Sequence, residues 1–241
     1  YMDSVKSLTV TAGTARLQKA FTAVSGNVAV TGGTLDLNGY NFAPTGTITV
    51  SSGATLKLNG GETVTASAGT GTPTFNSGST ALYAGTSTYT IKNWTYHHLT
   101  FNGSGGTFNL GANEDPAGNL TVTAGTVGVG AYSLTVGGTT TVNGGTLNAS
   151  NASAVLDLNG DLVLSSGTLS APAVANTTSF RLAGNWSRSC GLFTHNSGTV
   201  VLDGSSQNIY GSSTFNNLYK VVASAATLGF EQSSTQTVNG T

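Results

Sequence analysis

The sequence is poor in most of what anchors an ordinary globular enzyme. Cys190 is its one cysteine, so no disulfide forms within the chain, and nothing about compartment follows from it. Charged residues make up 7%, against about 25% in an average soluble domain. Lys and Arg number 8 against 9 Asp and Glu, a net charge of −1 with no basic patch. Nucleic acid is thereby excluded as an expected partner, because holding phosphates requires clustered Lys and Arg. No apolar run approaches the roughly 18 residues of a spanning helix, so no membrane insertion is expected. A charged segment leading into an apolar one is also missing, so no signal peptide is expected within the chain. A mature product or an internal fragment both remain open. Helical patterning is nearly absent: no segment places apolar residues at i, i+3, i+4 and i+7 over three turns.

What is present is Gly, at 34 of 241 residues, about twice the usual share, together with abundant Thr, Ser and Asn. Hydrophobic residues reach 38%, enough to fill a core. They alternate with Thr, as in Leu8-Thr9-Val10-Thr11 and Leu120-Thr121-Val122-Thr123. Alternation of this kind is a strand signal and argues against disorder. Short runs of Val, Thr, Leu, Ile and Phe are separated by Gly, Asn-Gly or Ser-Gly, which are turn signals in dense succession.

One motif recurs: apolar, any, apolar, then Asn-Gly. It reads Leu35-Asp36-Leu37-Asn38-Gly39, Leu56-Lys57-Leu58-Asn59-Gly60, Leu99-Thr100-Phe101-Asn102-Gly103 and Leu156-Asp157-Leu158-Asn159-Gly160, with Val201-Leu202-Asp203-Gly204 as a shorter version. Asn38 and Asn59 lie 21 apart, and the separations from Asn59 to Asn102 (43) and from Asn159 to Asp203 (44) are about twice that. Such a period suits three short strands with their turns, one rung of a solenoid. A longer repeat overlies it. Leu8-Thr9-Val10-Thr11-Ala12-Gly13-Thr14 returns 112 residues on, at Leu120 to Thr126, and Gly32-Gly33-Thr34-Leu35 returns by the same shift at Gly144. Asn76-Ser77-Gly78 returns as Asn196-Ser197-Gly198 with a shift of 120, which implies an insertion in a loop near residues 148–155.

The expected fold is therefore all-β, a single-stranded parallel β-solenoid (β-helix) of about ten to eleven rungs of roughly 21 residues. It would be one continuous solenoid over residues 1–241, with internal repeats at approximately 8–119 and 120–235 and a third copy beginning near 236. An antiparallel sandwich or barrel is the competing architecture, and the two superposed periods favour the solenoid. Inward Leu, Val, Ile and Phe would form the core, outward Thr and Ser the surface, and stacked Asn at the Asn-Gly corners an amide ladder. Neither end carries an obvious polar cap, and the two ends share one phase of the repeat. Continuation is expected, either covalently in a longer array or by head-to-tail self-association.

The elements Gly184-Asn185-Trp186-Ser187, Phe193-Thr194-His195-Asn196-Ser197-Gly198-Thr199 and Thr214-Phe215-Asn216-Asn217-Leu218 resemble the β-helical repeat region of large bacterial surface, adhesin-like proteins, in which a Gly-Asn-Trp-Thr element precedes a Thr-Phe-x-Asn-Leu element. The likeness extends more weakly over nearly the whole chain. It implies a secreted or cell-surface location and a scaffold role. His97-His98 departs from the pattern where Asn is usual.

Chemistry is sparse. Glu114-Asp115 is the only adjacent acidic pair and reads as a solvated turn before Pro116; Asp157 and Asp161 flank another turn. His97 and His98 are strand neighbours that point to opposite faces, so chelation by the pair is not expected. No calcium repeat is present. No catalytic residue, metal site or cofactor is therefore expected. Aromatics cluster between Tyr83 and Phe108, and Trp94, Tyr96 and Trp186 are candidates for stacking on surface glycans, with burial in the core as the alternative. The expected function is that of a non-enzymatic extracellular structural protein, a surface adhesin stalk or a head-to-tail fibre subunit. A carbohydrate-binding surface module is the second reading, followed by a polysaccharide-active enzyme or an ice-binding protein; the last is suggested by the Thr-x-Thr pairs.

Overall fold

The computed structural model describes residues 6–21, 24–68 and 71–240. Among these residues it holds 24 strands and no helix. Every strand pairing is parallel. Each strand pairs with the one a full coil away: Thr14 lies on Thr34, Thr34 on Thr55, and Leu99 on Leu120. The chain is thus a parallel β-solenoid, and its 20-to-21-residue step is the short period of the sequence.

Each coil visits three faces in turn. The first face begins as the sheet Leu8–Val10, Val28–Val30, Ile48–Val50 and Thr74–Phe75. It resumes as Ser133–Val136, Val155–Leu158, Phe180–Leu182, Thr199–Leu202 and Asn217–Lys220. Between the two sheets, residues 91–97 cross this face without strand structure, and Glu114 crosses it with a single bridge to Leu134. The second face is unbroken, eleven strands from Thr14–Arg16 to Leu228–Phe230. The third starts as bridges linking Phe21, Phe42 and Val64 and becomes regular from Thr88–Thr90 to Gln236–Val238. Four strands, His98–Asn109, Leu120–Gly128, Thr140–Asn148 and Leu162–Ser170, run through the corner from the second face into the third.

The sequence alternation becomes alternation of burial. In Thr55–Leu58 and Val155–Leu158 every second side chain is buried and the others are half-exposed. Inward Leu, Val, Ile and Phe stack into one continuous core from Val10 to Phe215. Two aromatic clusters lie within it. Tyr83 stacks on Phe101, its register partner, at 5.5 Å, and Tyr89 on Phe108 at 5.9 Å. Further along, Trp186 meets Phe193 and Phe215 at 4.8 and 4.9 Å. Glycine is obligatory where coils touch: at Gly33 (φ +67°) a Cβ would sit 2.3 Å from the Gly13 carbonyl oxygen, so any side chain would wedge two coils apart.

The long repeat is out of step with the coil. Leu8–Val10 lies on the first face, but its counterpart at residues 120–122 lies on the second. Thr34–Asp36 is on the second face, and its counterpart at residues 146–148 is on the third. A coil of about 21 residues gives about seven per side, so 112 residues make five coils and one extra side. The later shift of 120 adds roughly one more side. Residues 107–110 on the third face accordingly correspond to 227–230 on the second. Similar sequence packs on different faces because an inward Leu or Val meets much the same apolar column on each.

The corner ladder also differs from the expectation. The Asn-Gly pairs do not form one column: Asn38 and Asn59 follow second-face strands, whereas Asn159 and Asp203 follow first-face strands. The ladder sits instead at the residue preceding the second face. There His98 Nδ1 accepts the Asn119 N–H at 2.9 Å, and Asn119 Oδ1 accepts the Thr139 N–H at 3.0 Å. Asp161 Oδ1 accepts the Asn185 N–H at 2.7 Å, and Asn185 Oδ1 accepts the Asn208 N–H at 2.8 Å. Each side chain satisfies a backbone donor one coil away that the corner geometry would otherwise leave unpaired.

Candidate functional site

The glycan-stacking candidates are all inside the solenoid. Trp94 is 8% exposed, Tyr96 2% and Trp186 1%. Trp186 donates its indole N–H to Ser213 Oγ at 3.0 Å, and the Tyr96 hydroxyl meets that of Tyr83 at 2.7 Å. Burial raises the pKa of both tyrosines well above the ordinary phenol value. A ring enclosed on both faces cannot stack on a sugar. These side chains are large because the interior of a solenoid with few charged residues is filled by volume.

The acidic pair is split rather than solvated. Asp115 is exposed, but Glu114 is 2% exposed and occupies the inward position that Leu134 fills one coil on. Its Oε1 has no hydrogen-bond partner among the described residues. Desolvation, reinforced by the Asp115 charge, pushes its pKa up to about 8. A second buried carboxylate, Glu62, sits at a corner and accepts the backbone N–H groups of Asn59, Gly60 and Gly39 at 2.6, 2.7 and 3.0 Å. Sequence reasoning passed over Glu62; the usable signal was Asn59-Gly60-Gly61 directly before it, a backbone free to turn its donors inward.

The remaining polar candidates belong to the framework. The His97 and His98 rings meet edge to face at 4.3 Å, and His97 Nε2 lies 3.1 Å from Ser77 Oγ. Desolvation first, and the neighbouring His97 second, lower the His98 pKa, in keeping with its role as an acceptor in the corner ladder. Asp157 has Arg181 as its register partner, and Arg181 forms an ion pair with Asp203 at 2.7 Å. Cys190 is free and exposed, and His195 accepts the Ser197 N–H. Among the described residues no three His, Cys, Asp or Glu side chains converge on a point that could hold a metal.

The surfaces that stand apart chemically are the two ends of the described stack. At the last coil, Phe230 is 57% exposed, whereas Ile209, its register partner one coil earlier, is 0% exposed. Val238 is 45% exposed above the fully buried Phe215. Val221 and Val222 lie exposed beside them. At the first coil a cleft of about 570 Å³ is lined by Leu8, Ala15, Leu17, Phe21 and Leu35 together with polar Ser7, Thr9 and Arg16. Strands Leu8–Val10 and Thr14–Arg16 pair on one edge only, as do Asn217–Lys220, Leu228–Phe230 and Gln236–Val238. These ends are apolar columns and open ladders that a further coil would complete.

Fold and surface together define a three-faced parallel β-solenoid repeat protein. No family model matches the chain, and no curated protein or solved structure matches it.

Proposed function

We propose that the chain is a non-enzymatic structural solenoid of the secreted or cell-surface kind, a rod that extends along its own axis as an adhesin stalk or as a head-to-tail fibre subunit. One observation carries this reading: the described end coils present core side chains and unpaired strand edges of matching kind, Phe230 and Val238 at one end and the Leu8, Leu17 and Phe21 cleft at the other. Covering such a side chain is worth about 1.5–3 kcal/mol relative to leaving it in water, and an unpaired edge is a template for another strand. A contact between unlike ends does not close on itself, so it propagates. The outward faces of Thr, Ser and Asn suit a scaffold that must remain soluble while it does so.

Sedimentation velocity and negative-stain microscopy across a concentration series test the fibre form. Rods that lengthen with concentration are expected, and Phe230→Glu combined with Val238→Glu should reduce them to single stacks. Single short rods at every concentration would remove the fibre form. The stalk form then rests on whether further repeats flank residues 1–241 in the reading frame.

A further inference from the structure

A second cleft, of about 400 Å³, opens on the side of the rod where the last three coils turn from the second face toward the third. It is lined by Ser187, Arg188 and Ser189 from one coil, Tyr210, Gly211 and Ser212 from the next, and Glu231 from the last. Ser187 is the register partner of Tyr210, and Glu231 follows Phe230 just as Tyr210 follows Ile209. The cleft thus has one wall from each of three stacked coils. Gly211 forms its floor, and a Cβ there would overlap the Arg188 carbonyl oxygen, so the hollow exists because that position is glycine.

Its charged groups are held in place with capacity to spare. Arg188 donates from Nε to the Gly191 carbonyl at 2.6 Å and from Nη1 to the Ser212 carbonyl. Its Nη2 has no partner among the described residues. Glu231 accepts the Gly211 N–H on Oε2 at 2.7 Å, which leaves Oε1 without a partner among them. No ion pair joins the two side chains. Tyr210, 41% exposed, adds an aromatic surface and a hydroxyl. A fixed donor, a fixed acceptor, serine hydroxyls and an exposed ring in one hollow form the set that recognises a pyranose: hydroxyls to the guanidinium and the carboxylate, and the apolar ring face to tyrosine. One positive and one negative group give no net charge, which favours a neutral sugar over an anionic one.

We propose that this cleft binds a neutral hexopyranose unit of a glycan, a site distinct from the buried aromatics and independent of end-to-end assembly. The test is saturation-transfer NMR and titration calorimetry of the intact chain with methyl hexopyranosides and their short neutral oligomers, alongside the corresponding uronates. Saturable binding of at least one neutral probe is expected. Tyr210→Ala should weaken it at least tenfold, and so should Glu231→Gln, which retains an oxygen for the Gly211 N–H but loses the charge. Tyr132→Ala, at an exposed tyrosine elsewhere on the rod (38% exposed), should leave binding unchanged. Circular dichroism of each variant establishes that the solenoid is intact. No saturable binding of any neutral probe, binding confined to uronates, or binding indifferent to both cleft substitutions would each overturn the assignment. Loss of fibres without loss of sugar binding would bear on the axial reading alone.

Discussion

Glu62 and Glu114 are buried to nearly the same extent, 1% and 2% exposed, in two regions of the same rod. Glu62 lies at a corner of the early coils, where three backbone N–H groups converge on its carboxylate. Glu114 lies mid-stack on the one face where strand pairing is interrupted, and it points into the apolar column with an oxygen unpartnered among the described residues. The difference shows what a solenoid corner supplies that its flat faces do not. Along a face, backbone donors are already committed to the coils above and below. At a corner the chain turns and some donors are released, so a carboxylate there is solvated by the backbone. Inward charge is thus tolerated at corners and costly on faces.

The largest effect should come from removing the satisfied group. Glu62→Ala strands the donors of Asn59 and Gly60 inside the corner, while water can reach Gly39. With hydrogen bonds to charged groups worth about 1.5–3 kcal/mol each, a loss of roughly 5 kcal/mol is expected. Denaturant unfolding at neutral pH measures it. A loss below about 1 kcal/mol would mean that the backbone nest contributes little.

Next in size is the titration of Glu114. Its folded pKa of about 8 stands above the ordinary value of 4.5, so the folded chain holds this proton more tightly than the unfolded one. Its contribution is therefore intact below about pH 4.5 and is lost as pH rises through 8. Each pH unit between the two values corresponds to about 1.36 kcal/mol, and water screens the part that comes from exposed Asp115, which leaves roughly 4 kcal/mol over the span. Stability of the wild type should fall between pH 5 and pH 8, and Glu114→Gln should flatten that slope. A slope unchanged by the substitution would assign it to other groups.

Much of the fold was legible in the sequence because a parallel solenoid repeats its physics every coil. Asn38 to Asn59 marked the step, and Leu-Thr-Val alternation marked the inward column. The longer repeat was legible as similarity but not as placement. Whether residues 120–122 lie on the same face as residues 8–10 depends on how many residues each corner consumes, and that is not written in any local motif. The buried carboxylates were hidden for the same reason. Asn113-Glu114-Asp115-Pro116 has turn chemistry, yet the chain crosses the first face there with Glu114 inward. The aromatics were ambiguous because a Trp beside Asn and Ser in sequence can be either wall or core. Burial of Trp94 and Trp186 is decided by neighbours about twenty residues away. The side cleft was invisible because its residues, Arg188, Tyr210 and Glu231, come from three different coils.

A gain in stability should follow from matching Glu114 to its face. Glu114→Met replaces the unpartnered carboxyl with an apolar side chain of similar length, in the column that Leu134 continues. At pH 8 the variant should be more stable by about 2 kcal/mol, since an unsatisfied buried polar group costs about 1–3 kcal/mol. At pH 4.5, where the native carboxyl is neutral, the gain should shrink. Equal gains at both pH values would show that packing, rather than desolvation of charge, sets the cost.

The smallest effect, and the sharpest on the role of corners, concerns His98. It accepts the Asn119 N–H through Nδ1, a task that Asn119 and Asn185 perform through Oδ1 at the same corner of later coils. Desolvation and His97 lower its pKa below the ordinary 6.5, so the folded chain binds this proton less well than the unfolded one. Its contribution is present above pH 6.5 and fades as pH falls through the folded value. His98→Asn supplies an acceptor that does not titrate. At pH 8 the substitution should change stability by no more than about 0.5 kcal/mol, the range of an exposed replacement. At pH 5 the variant should be the more stable of the two, because protonation turns the wild-type acceptor into a donor facing another donor. If His98→Asn is equally neutral at both pH values, the corner ladder is shared so widely along the stack that no single acceptor matters, and corners tolerate polar exchange as freely as faces exchange Leu for Val.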